Sequence, residues 1–65
     1  MENAKKKAIA EAILNQLEND FEAACMLSRI CEKCGDKEGH KRNKDAAIMF
    51  EKKMEEAKKE IAELE

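Results

Sequence analysis

Apolar side chains return at three- and four-residue steps along the first half of the chain, at Ile9, Ile13, Leu17, Phe21 and Ala24, and the same rhythm runs on through Ser28 and Cys31. Because an α-helix brings residues three and four apart onto one face, this spacing predicts one long helix over about residues 3–34. At about 100° per residue the stripe widens to take in Ala10, Leu14, Cys25, Leu27 and Ile30, a broader sector than a narrow coiled-coil seam. Two neighbouring helices are needed to cover it.

Gly35 follows the last periodic residue and can adopt the left-handed backbone that ends a helix, while Asp36 after it is a competent N-cap. A turn is therefore expected at about residues 35–36. Beyond it, His40, Asn43, Ala47, Phe50, Met54, Ala57, Ile61 and Leu64 alternate three- and four-residue steps without a slip, a heptad seam that predicts a second helix to about residue 64. Gly39 weakens its first turn by about 1 kcal/mol relative to Ala, so the stretch up to residue 44 is expected to fray, with Asn43 or Asp45 as alternative caps.

Two helices of about 45 Å each, at 1.5 Å per residue, joined by a tight connection should pack antiparallel. The expected fold is all-α, a single two-helix antiparallel hairpin over residues 1–65. A lone hairpin leaves one side of each stripe wet, whereas two hairpins make a closed four-helix bundle. Homodimerisation is thus expected, with a dimer core of Ile9, Ile13, Leu17, Phe21, Ala24, Phe50, Met54, Ala57, Ile61 and Leu64. Met26, Ile48 and Met49 lie off the main seams, as either a wider dimer core or a surface for another protein.

Composition agrees: 65 residues without proline and with two glycines suit long helices, and so short a chain buries too little surface to be very stable alone. Thirteen basic against 15 acidic residues leave a net charge of -2, so no overall field gathers nucleic acid or anionic membrane. Glu51 to Glu60 carry mixed charges that read as a solvated face, with weak i, i+4 pairs such as Glu55 with Lys59. No apolar run approaches the length of a membrane span, and the first dozen residues lack the apolar core of a signal peptide, so a cytoplasmic location is expected. Three cysteines, an odd number, suit a reducing compartment.

The one constellation with candidate chemistry is Cys31-Glu32-Lys33-Cys34-Gly35 followed by His40, the only histidine. All fall at the expected hairpin tip, and two thiolates with an imidazole are ligands that zinc favours. Asp36, Glu38, water or a second chain are candidates for the fourth position, because Cys25 lies about 120° round the helix from Cys31. The alternative is that the cysteines are small apolar residues and His40 closes the bundle end, with no cofactor at all. The Cys31 to Gly35 segment and its helical flanks resemble the zinc-hook apex of SMC-like DNA-repair ATPases, with Glu32 where that family usually has proline. The resemblance implies a metal bridging two hairpins tip to tip.

A redox role is disfavoured because these thiols sit at a helix C-terminus, where the dipole opposes a thiolate. Enzymatic chemistry in general lacks an evident cleft. Lys37, Lys41, Arg42 and Lys44 form a candidate phosphate contact, as does the Lys5 to Lys7 run, yet Asp36, Glu38 and Asp45 dilute the former and the two aromatics belong to core stripes. The expected function is a non-enzymatic protein-protein interaction module, an adaptor, inhibitor or regulator. The alternatives are an RNA- or DNA-binding helical-hairpin regulator, a zinc-dependent oligomerisation device and a purely structural coiled coil.

Overall fold

Two helices account for the chain, described over residues 2–65 in a computed structural model. Helix α1 spans Glu2–Lys33 and helix α2 spans Lys37–Leu64; among the described residues there is no strand. They pack against one another as a hairpin of 51 × 14 × 10 Å.

The reversal is built by three residues. The Asp36 N–H donates to the Cys31 carbonyl at 2.8 Å and the Gly35 N–H to the Glu32 carbonyl at 3.1 Å, which together close the free carbonyls of the α1 terminus. Gly35 takes φ 78°, a conformation that costs a side-chain-bearing residue steric strain. Asp36 then caps α2 by accepting the Gly39 N–H at 2.9 Å. With the cap satisfied, α2 is helical from Lys37, so the stretch expected to fray is regular and Asn43 and Asp45 lie inside the helix.

A heptad seam runs through the shielded positions of both helices. On α1 it is Lys7, Ala10, Leu14, Leu17, Phe21, Ala24, Ser28 and Cys31, with Glu18, Asp20 and Cys25 partly shielded beside it, and on α2 it is His40, Asn43, Ala47, Phe50, Met54, Ala57, Ile61 and Leu64, with buried Gly39 and partly shielded Ala46 beside it. The second set is the seam predicted from sequence. The first differs from the expected stripe at its start: Ala10 and Leu14 face α2, while Ile9 and Ile13 are 53% and 52% exposed. An unbroken 3-4 alternation is what keeps a seam facing a partner helix along its length, and counting back from Leu17 it reaches Leu14 and Ala10.

Side-chain contacts cross between the helices at both ends. At the tip Ser28 meets His40, and at the open end Lys7 Nζ lies 3.1 Å from Glu65 Oε1. Between them Ala24 and Ala47 are the only buried hydrophobic side chains among the described residues, at 5% and 8% exposure. Phe21, Phe50, Leu17, Met54 and Ile61 are only half-buried. A hairpin thus shields its seam without enclosing it, because each helix covers one side of the other and leaves the flanks in water.

Candidate functional site

Polar residues replace apolar ones where the seam reaches the tip. His40 Nδ1 lies 2.9 Å from the Ser28 carbonyl and 2.8 Å from Ser28 Oγ. Since a carbonyl only accepts, Nδ1–H donates to it, leaving the Ser28 hydroxyl to donate to the His40 carbonyl at 3.3 Å. Asn43 donates to the Gly39 carbonyl at 2.8 Å, and its Nδ2 also lies 3.9 Å from Cys31 Sγ. No buried side-chain polar atom among the described residues lacks a partner. The cluster is a satisfied network, and its Ser28–His40 part depends on this register, since sliding by a helical turn would separate those two residues.

Gly39 is buried beneath this network. A Cβ there would run into the Asp36 carboxylate and come within 2.8 Å of Cys31 Sγ, so glycine is what lets the cap and the thiol share the space. Cys31 is half-buried, and its thiol is held above its ordinary range, first by desolvation and then by the charge and hydrogen bonding of Asp36; Cys34 adds to the rise and Arg42 opposes it. This thiol stays protonated, as a packing residue does.

The structure does not bring Cys31, Cys34 and His40 together: among the described residues no three of His, Cys, Asp and Glu form a group that could hold a metal ion. Cys34 lies just past the end of α1 and is exposed. The remaining imidazole nitrogen, Nε2, lies 3.5 Å from Glu32 Oε2. Glu32, Gly35, Asp36, Lys37 and His40 line an open depression.

Lys37, Lys41, Arg42 and Lys44 are all exposed. Three of them, at i, i+4 and i+7, share one face of α2, with Arg42 turned about 100° from Lys41. None takes part in an ion pair among the described residues.

The other candidate surface is apolar and belongs chiefly to α1. Ile9, Ile13, Leu27 and Ile30 are each about half exposed, as are Met26 on α1 and Ile48 and Met49 on α2. Ile9 and Ile13, with Lys6, Ala10, Glu60 and Leu64, line a groove at the open end. Met26 borders a second depression with Phe21, Glu22, Cys25 and Arg29, and Ile48 and Met49 border a third with Asp45 and Lys52. Sequence reasoning merged Ile9 and Ile13 into the seam. Read against the seam that α2 actually covers, they open a second alternation: Ile9, Ile13, Gln16, Asp20, Ala23, Leu27, Ile30 and Cys34, again at steps of four and three. At the middle of this stripe Gln16 Nε2 donates to Asp20 Oδ1 at 3.1 Å.

Set against protein-family models, curated proteins and solved structures, the chain matches none.

Proposed function

We propose that this chain is a non-enzymatic interaction module that works through its helix faces, first by pairing with itself into a four-helix bundle and then by presenting the remaining faces to another protein. The observation that carries the reading is the second apolar stripe on α1. Ile9, Ile13, Leu27 and Ile30 are half exposed on a helix whose other face is already occupied by α2. Apolar side chains on a repeating edge, rather than scattered singly, mark a contact surface. Four-helix bundles shield such flanks by giving each helix two neighbours instead of one. The half-buried state of Phe21, Phe50, Leu17 and Met54 supports the same reading, because a second hairpin laid alongside would take them further out of water.

Met26, Ile48 and Met49 are offered to a further partner under this reading. Methionine adapts its shape to a neighbour at low cost, which suits a surface that meets another protein. Sedimentation equilibrium of the purified chain tests the first step: a dimer at micromolar concentration is expected. A monomer across the whole accessible concentration range would overturn self-association.

A further inference from the structure

We infer that the second copy packs along the α1 edge carrying Ile9, Ile13, Leu27 and Ile30, with the two α1 helices antiparallel about a twofold axis level with Glu18. This deepens the self-association proposed above and rests on it. The stripe from Ile9 to Cys34 has the 3-4 alternation of a coiled-coil seam in its own right, distinct from the seam facing α2. Its character is close to mirror-symmetric: apolar at Ile9 and Ile13, polar at Gln16 and Asp20, apolar again at Ala23, Leu27 and Ile30. A surface with that pattern complements a reversed copy of itself, which is the requirement of a twofold interface.

Orientation follows from charge and size. A parallel pair in register would set Asp20 against the partner's Asp20, a like-charge contact within the interface. Turning one copy about the level of Glu18 sets Gln16 against the partner's Asp20 instead, so the amide can donate to a carboxylate on either chain. The same register places Ile9 against the partner's Leu27 and Ile13 against the partner's Ala23. Ile30 falls beside the alkyl stem of the partner's Lys6, whose ammonium remains in water.

The hairpin as a whole exposes more surface than a compact fold of its mass. The hairpin exposes 5220 Å² at 7.4 kDa. A folded monomer of that mass exposes about 4,200 Å² by the usual scaling of surface with mass. The surplus of about 1,000 Å² is comparable to the roughly 800 Å² that one partner contributes to a standard interface.

The register can be read by mixing two variants. Ile13→Glu and Ala23→Lys both alter exposed positions outside the hairpin seam, so the helical circular dichroism of each should match the parent. Ile13→Glu is expected to weaken its own dimer by on the order of a hundredfold, because the charge is buried without a partner, and Ala23→Lys to weaken its own to a lesser degree. An equimolar mixture should recover a heterodimer, since the new carboxylate then faces the new ammonium while the remaining Ile13 and Ala23 meet as in the parent. A parent dimer that both variants leave intact, or a mixture that restores nothing, overturns this interface while self-association stands. A parent that is monomeric throughout overturns self-association itself, and this interface with it.

Discussion

Gly39 shows how one residue's merit depends on what surrounds it. In isolation it costs the first turn of α2 about 1 kcal/mol relative to Ala. In the hairpin a Cβ would displace the capping carboxylate of Asp36 and press on Cys31. Gly39→Ala is therefore expected to destabilise by on the order of 1 kcal/mol in urea titration, the propensity gain being outweighed by the lost cap and the crowded thiol. Asp36→Ala should cost about the same, and Asp36→Asn much less, since an amide oxygen still caps. The thiols separate by reactivity. Near neutral pH iodoacetamide should modify exposed Cys34 before Cys31, as peptide mass spectrometry would show, and Asp36→Asn should speed the Cys31 reaction by removing a charge that disfavours its thiolate. The sign for stability follows from the same shift. A thiol whose pKa rises on folding favours the folded state while it is protonated. That contribution is complete below the unfolded value of about 8.5 and is lost as pH climbs through the folded value, so the Cys31 contribution disappears on the alkaline side.

At the scale of the helix, the seam divides into a polar tip, a buried alanine waist and an apolar open end. Ala24 and Ala47 are the buried hydrophobic positions of the seam, so Ala24→Leu is expected to push the helices apart and destabilise by about 1–3 kcal/mol, measured by thermal denaturation. An Ala24→Leu hairpin as stable as the parent would mean that the waist has room for a larger side chain. Phe21 belongs to this intrachain seam, so Phe21→Glu is expected to lower the helicity of the hairpin itself as well as any assembly. Almost all of the α2 seam was legible in sequence, because its 3-4 alternation has no competing apolar residue on the flank until Ile48 and Met49. The α1 seam was less legible. Its apolar sector holds two overlapping alternations, one through Ala10 and Leu14 and one through Ile9 and Ile13, and residue type alone favours the larger isoleucines. Covering by α2 decided between them.

For the whole molecule, the absence of any large, fully buried side chain among the described residues bears on how stability should behave. If folding is completed by a second copy, mass action makes the thermal midpoint rise with protein concentration. An increase over a hundredfold range of concentration, followed by circular dichroism, is expected; a midpoint independent of concentration would argue that the hairpin is stable as a monomer. The ion pair of Lys7 with Glu65 at the open end is exposed enough that its loss in high salt should change little.

The residues by themselves determined two helices, the turn between them and the face that α2 turns inward, because helix propensity, capping and the heptad repeat are local properties that a short window of sequence carries. Tertiary structure alone decided three things: which of two overlapping stripes on α1 is covered, why a glycine sits in the first turn of α2, and that Cys31, Cys34 and His40 do not gather. Each depends on a distance or direction between residues on different turns or different helices. The spacing of Cys31, Cys34 and His40 permits proximity at a hairpin tip, but Cys34 is exposed beyond the end of α1, while His40 donates Nδ1–H to the Ser28 carbonyl and turns Nε2 toward Glu32.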